Sequence, residues 1–571
     1  MRKITLYIAM ACLLTASCSD TMEQYNTEAS HSQLMNRNLT SEDETKYAEE
    51  GEPTVLGEQL PVPYTIESMM AAYKSLLAEP KAEGNRSLTA VNIRSTHKYI
   101  KFNPTTEDEL EALQQSSLIL YDYPLDREVL VVGKFYHDPD VPADQPTPQY
   151  ATVKNETPLP AGVSYEILQE VYLPEEDIEL LGTGNMNYKF VYSLVHRAEN
   201  LSGFTPWEPS DYKPWDNIGE PGQWYPNPNP NPGGGGGGAP IYGTIRIFDT
   251  RLNTLIPFEG AKVTAKRSLR TREGITNANG QYGLSGTPFP NNRNVDFKLH
   301  MDRKHFVIKD NMVRPSNVVR NNIKSNHWSH DIMPGYENMQ GHMFRAAYRY
   351  FYKDIGGLQR PVRPSGNRSH IIAKNTAKDW QGINYVAFPY LKIARFQPGS
   401  TTEYNSDDYF STTVHELAHT SHVIKMNTGL VQYSQVNSML QESWPCAVEW
   451  FVTGIEYRER GILNYGTPNY NPANPPVFPN RFGYQFWSLN TSSDYTSLFI
   501  NLVDNFNELG QSFSPQPMGT VNDQVTGYTL ANIENNFLKY CYGLSSLGVQ
   551  LKANRPAGVS NAQIDVLLSS Y

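Results

Sequence analysis

His415, Glu416 and His419 stand in the order His-Glu-x-x-His, a spacing that can do chemistry. On a helix, positions i and i+4 lie one above the other on one face. Two imidazoles there can hold one zinc ion side by side. Glu416 then leans toward the ion's open position, where it can take a proton from water. With 13 His in 571 residues, the pattern arises by chance in about two chains per hundred, so its surroundings must decide. Ser406-Asp407-Asp408 offers capping side chains. Tyr409, Phe410, Val414, Leu417, Ala418 and Val423 supply apolar positions, and Asn427 and Gly429 offer a stop. That pattern puts the motif mid-helix on a buried segment rather than on a solvated surface turn.

Catalytic zinc takes three protein ligands and keeps one position open. Six residues after His419, where a third histidine would make a metzincin, stands Lys425. His422 lies close to the same face, but a straight helix does not easily bring i, i+4 and i+7 to one ion. It is expected to pack beside the ligands, with direct ligation as the alternative. The next helical stretch, Leu440 to Arg458, carries a core stripe of Leu440, Trp444, Ala447, Val448, Phe451 and Ile455. Glu442, Glu449 and Glu456 fall on its other side, and Glu456 reads as solvated.

Residues Gln441-Glu442-Ser443-Trp444-Pro445-Cys446-Ala447-Val448-Glu449 resemble the Asn-Glu-Gly-Phe-Ala-x-x-x-Glu stretch of gluzincin metallopeptidases, of the aminopeptidase and thermolysin-like kind. The resemblance covers roughly residues 407 to 458. It implies a zincin-like domain, Glu442 as third zinc ligand and Glu449 as a group behind the ligands. Gln441, Ser443 and Pro445 depart from the family pattern, and the 22 residues between His419 and Glu442 exceed the usual aminopeptidase gap. Proline is at home in a first helical turn. If the helix begins at Ser443, Glu442 sits just outside it and Glu449 becomes a rival ligand.

From these parts follows an expected hydrolysis of peptide bonds by zinc-activated water, with Glu416 as general base. The oxyanion needs a further donor. Tyr457, Tyr465, Tyr470 and Tyr484 follow at useful distances, and Tyr484 is the candidate donor, with core packing as the alternative for each. Tyr385 to Phe396 reads as a strand, either the edge strand that holds an extended substrate or an ordinary core strand. Cys446 is not expected to bind zinc beside a complete His/His/Glu set.

At the other end, Arg2 and Lys3 precede an 11-residue apolar run, Ile4 to Leu14, too short to span a membrane. Leu14-Thr15-Ala16-Ser17-Cys18 resembles a bacterial lipobox, which implies cleavage before Cys18 and lipid on that residue. Ser19 in place of Asp removes the usual inner-membrane retention signal, and Ser19-Asp20 loosely resembles the start of Bacteroidetes surface lipoproteins. The resemblance implies an outer-membrane lipoprotein facing the cell surface or the periplasm; the alternative is a chance apolar start. Cys446 and Cys541 allow one disulfide at most. A net charge of −11 without a basic run excludes nucleic acid as an expected partner.

The fold class is multidomain α+β. The expected divisions are a signal peptide at 1–18 and a polar, acidic tether at 19–55. An N-terminal α+β accessory domain follows at 56–222. Alternating Pro-Asn and then six glycines mark a linker at 223–240. Residues 241–320 read as a small β-sandwich resembling the carboxypeptidase-regulatory kind, and 330–571 as a mainly helical zincin-like domain. The leading reading is a lipid-anchored zinc metallopeptidase acting on extracellular protein or glycoprotein. The alternatives are a surface-binding or adhesin lipoprotein on a zincin scaffold, and a zinc hydrolase of non-peptide amides. A pure binder has no need of Glu416.

Overall fold

The structure, a computed structural model, describes residues 53–78, 91–131, 136–142, 145–177, 188–204, 241–284, 289, 295–310, 315–323, 326–363, 367–385, 390–426, 430–463, 465, 494–510 and 521–571. Cys18, the expected linker, Tyr470 and Tyr484 lie outside those residues. Among the described residues no helix is long and apolar enough to cross a membrane. The architecture is mixed α+β, with several sheets and a helical C-terminal region.

In the N-terminal part, β1 (Val55–Gln59) pairs antiparallel with β3 (Arg127–Val131). β2 (His97–Asn103) lies between β4 (Gln149–Lys154) and β5 (Ser164–Val171). Helices α1 (Ile66–Ala78), α2 (Glu107–Gln114) and α3 (Tyr188–Leu201) complete it. Thr106 caps α2 by accepting from Glu109 N at 3.2 Å. The apolar run Leu118–Tyr121 pairs only at Tyr121, with Tyr150.

Two four-stranded sheets follow and share one apolar core. One has the order β10-β6-β15 with β7 on β6, built from β6 (Ile241–Asp249), β7 (Thr254–Pro257), β10 (Gln281–Leu284) and β15 (His330–Ile332). The other runs β14-β11-β8-β9, from β8 (Lys262–Arg267), β9 (Arg270–Ile275), β11 (Val295–His300) and β14 (Asn317–Ile323). Alternate residues Ile241, Ile245 and Ile247 of β6 point into the core, the period of a half-buried strand. Asn279-Gly280 forms a tight turn, with Gly280 at φ +73°. Its flanking strands enter different sheets, so it is a crossing between sheets rather than a hairpin.

The third sheet has the order β12-β13-β16-β18-β17, from β12 (Asp302–Arg303), β13 (Phe306–Lys309), β16 (Ser369–Ala377), β17 (Gly382–Tyr385) and β18 (Tyr390–Phe396). β13, β16 and β18 run parallel, and β17 is an antiparallel edge strand. This corrects one sequence expectation and decides between the two readings of another. The 241–320 border does not hold, because β13 inside it belongs to the later sheet while β15 beyond it returns to β6. The strand within Tyr385–Phe396 is interior, and the edge position belongs to β17.

Helix α4 (Tyr336–Tyr352) packs against α5 (Ser406–Lys425), which carries the His-Glu-x-x-His residues, and α5 packs against α7 (Ser438–Glu459). Short α6 (Leu430–Tyr433) lies between them in sequence; α8 (Leu498–Asn501), α9 (Leu530–Asn536), α10 (Leu544–Ala553) and α11 (Asn561–Leu568) follow. Within Tyr495–Phe506 only α8 is helical. Cys446 and Cys541 are both buried and free, with no disulfide between them.

The first paired sheet is fastened to the motif helices by polar contacts. Thr250 N donates to Ser406 Oγ at 2.8 Å, and Ser406 N donates to Thr250 Oγ1 at 2.9 Å, at the first residue of α5. Arg251 pairs with Asp407 at 3.0 Å. Asp249, the last residue of β6, meets Arg345 of α4 at 3.1 Å, and Arg345 meets Glu456 of α7 at 2.8 Å. Glu456 also pairs with Arg349 and Arg460, each at 2.6 Å. It is 4% exposed, so its reading as a solvated acid is corrected: three guanidinium groups neutralise it inside the core. Replacing Arg345 with Met strips a cation from two buried carboxylates. The expected loss is about 3 kcal/mol of stability, read as a lower thermal midpoint than that of the unaltered protein.

Candidate metal centre

Helix α5 begins at Asn405, whose N–H donates to Asp408 Oδ2 at 3.0 Å. The cap thus falls one residue before the expected Ser406. From Ser406 every residue to His422 is buried. His415 and His419 share a face, with ring centroids 5.0 Å apart. The expected stop residues Asn427 and Gly429 lie outside the described residues.

Helix α7 starts earlier than Pro445 suggested. Asn437 caps it by accepting from Met439 N at 3.0 Å, so the proline sits inside the helix and Glu442 lies in its second turn. Glu442 is 0% exposed. Its Oε2 lies 3.4 Å from Nε2 of His415 and 3.4 Å from Nε2 of His419. The three donor atoms converge within 4.8 Å of one another, close enough to face one ion. Burial alone would raise the Glu442 carboxyl, but the two imidazoles more than offset it and hold it at about 2. Two imidazole nitrogens and a carboxylate oxygen, buried together, form a donor set that fits a metal ion.

Glu449 lies two turns after Glu442 and reaches the far side of the same ring: its Oε2 is 3.2 Å from His415 Nδ1. An ion at Nε2 is on the opposite edge of the imidazole, so Glu449 orients His415 and does not share its ion. Tyr433 plays the corresponding part for His419, with its hydroxyl 2.9 Å from Nδ1. Replacing Tyr433 with Phe is expected to weaken metal binding by roughly 10- to 100-fold, measured by competition against a chelating dye.

Glu416 is buried beside this group. Burial raises its carboxyl to about 7, with the two imidazoles pulling it down and the Glu442 and Glu449 carboxylates pushing it up. Edge strand β17 passes close over it. A Cβ on Gly382 would stand 2.4 Å from Glu416 Oε1 and 2.6 Å from Thr412 Cγ2, so only glycine leaves room for the carboxylate. Asn384 ties the same strand to α5 by donating to the Glu416 carbonyl and, at 3.1 Å, to Thr420 Oγ1. Gly382→Ala is expected to displace the Glu416 carboxylate without changing bound metal. Loss of turnover at constant metal stoichiometry is the measurement that checks it.

The remaining candidates are elsewhere or do other work. His422 is buried between the edges of Tyr433 and Trp444, and neither ring nitrogen has a hydrogen-bond partner. Burial and His419 hold it down at about 3, so it is a neutral packing residue outside the donor group. Tyr457 and Tyr465 stack on each other at 4.9 Å and donate to Asp249 and Asp407; they are core residues. Burial pushes the Cys446 thiol up to about 11, and it is not among the converging donors. Tyr495 stacks on His415 with centroids 5.9 Å apart. Tyr433, Tyr495, Gly382 and Asn384 carry no local sequence signal, since each meets the site through the fold.

No family model matches the chain, and no curated protein matches it. A 5-hydroxyisourate hydrolase of Klebsiella pneumoniae is similar to part of it, at 20% identity over 17% of this chain and 91% of that chain, with a TM-score of 0.12. A likeness of that size carries no argument about function.

Proposed function

We propose that this chain is a zinc-dependent metallopeptidase of the gluzincin type, tethered to a membrane through lipid on Cys18. The observation that carries the reading is the convergence of His415, His419 and Glu442 within 4.8 Å beside a buried Glu416. A binding scaffold has no need of that last carboxylate. The donor set of two imidazoles and one carboxylate suits zinc and leaves a position open.

In this reading His415, His419 and Glu442 hold the ion, which supplies Lewis acidity toward a carbonyl oxygen and toward water. Glu416 accepts the water's proton and returns it to the leaving amine. Burial works to raise the Glu416 carboxyl, which favours such a proton exchange toward neutral pH. Glu449 and Tyr433 fix the two imidazoles. An extended peptide adds to edge strand β17, whose Gly382 leaves room for the Glu416 carboxylate beneath it. Tyr495, on the face of His415, joins Tyr484 as a candidate oxyanion donor. Proteins or glycoproteins outside the cell are the substrate class that the lipid anchor gives.

The test uses protein beginning at Ser19, unaltered or with Glu416→Gln, on a proteome-derived peptide library with new termini sequenced by mass spectrometry. Cleavage by the first alone supports a peptidase with Glu416 as base. Silence from both, with zinc bound, overturns it in favour of a binding lipoprotein.

A further inference from the structure

Beyond α8 lies a second group of buried charges. Asp504 and Glu508 follow that helix, and Asp523 lies across from them. Asn507 Oδ1 accepts from Asp523 N at 3.2 Å, and Asn507 Nδ2 donates to Asn522 Oδ1 at 3.1 Å. The two segments are thus stitched side by side. Glu508 is 0% exposed, and neither of its carboxylate oxygens has a hydrogen-bond partner. Asp523 Oδ2 is also buried without one. Asn501, the last residue of α8, is 0% exposed as well. It lies near the Glu508 carboxyl, and neither atom of its amide makes a hydrogen bond.

Among the described residues no ion pair reaches Glu508 or Asp523. Between Asn501 and Leu530 the sequence contains no Lys, Arg or His. Beyond burial, the charges that act on Glu508 are Asp504 and Asp523, and on Asp523 it is Asp504. Burying an unpaired carboxylate is costly unless it is protonated or meets a positive charge. The side chains gathered here offer only oxygen as ligand atoms, from carboxylates and an amide. Oxygen-only sets of this kind suit calcium, not zinc.

We propose that a calcium ion binds between the carboxylates of Glu508 and Asp523 and the amide oxygen of Asn501. The three carboxylates of the group do not all converge within 4.8 Å, so Asp504 supplies charge at longer range while backbone carbonyls and water complete the ion's shell. The ion locks the segment that closes the metal centre. In that segment Thr496 Oγ1 is 2.7 Å from Ser443 Oγ, next to Glu442, and Tyr495 stacks on His415. This second site stands independently of any peptidase activity.

The test is a terbium and calcium titration of the full chain. Tyr571 is buried beside the same three carboxylates and serves as the donor for sensitised terbium luminescence. Saturable luminescence displaced by calcium is expected, with millimolar calcium raising the melting temperature by about 4 °C or more. Glu508→Gln with Asp523→Asn abolishes both responses. These two changes remove repulsion, so the variant folds and serves as the control. Glu442→Ala keeps both responses, which separates this site from the His/His/Glu centre. No luminescence and no shift in the unaltered protein overturns the proposal, leaving two protonated carboxyls. An equal response in the double variant overturns it as well.

Discussion

Replacing Glu416 with Gln is expected to lower kcat/KM by roughly 10² to 10⁴, the range a positioned general base supplies, while bound metal stays at one equivalent. The amide is nearly isosteric, so Gly382 and Thr412 still accommodate it, and His415, His419 and Glu442 are untouched. What is lost is the proton acceptor. The pH profile offers a second readout. Burial raises the Glu416 carboxyl to about 7 in the metal-free geometry, and a bound cation lowers that value. A base works only when ionised. Activity of the unaltered protein therefore climbs as pH rises through a value at or below about 7, and the residual activity of Glu416→Gln lacks that limb. A variant that loses metal along with activity would instead mark Glu416 as structural support for the centre.

The readable part of this site is the part that is local in sequence. His415, Glu416 and His419 fall on one helical turn, so spacing alone puts the imidazoles on one face. Glu442 could be named and preferred from the resemblance, but Glu449 stayed open as a rival. That depended on whether the helix starts before Pro445, and the side chain of Asn437 decides it. Gly382, Asn384, Tyr433 and Tyr495 were not readable, because strand pairing and loop packing bring them in from outside the motif. Glu456 was misread for a related reason. Its position on α7 looks solvated when the helix is taken alone, but Arg345 and Arg349 come from α4, and Asp249, which Arg345 also meets, comes from β6. The border near residue 320 failed because the chain leaves one sheet for another and returns, a crossover that composition does not mark.

Glu442→Ala is expected to abolish stoichiometric metal binding, and activity with it. Its Oε2 is the atom equidistant from the two Nε2 atoms, at 3.4 Å from each. Without it two imidazoles remain on one helix face and nothing closes the set from α7. Glu449→Ala is the informative comparison. That carboxylate contacts His415 Nδ1 at 3.2 Å, so its loss frees the ring to turn but leaves all three donors in place. The expected cost is roughly 10- to 100-fold in affinity, with metal restored at saturating concentration. Zinc titration against a competing chelating dye ranks the two variants. If Glu449→Ala lost the metal outright and Glu442→Ala merely weakened it, the ligand assignment would be reversed. That reversal would require the ion to sit at Nδ1 of His415, away from His419 Nε2, and the paired geometry of the motif helix would lose its purpose.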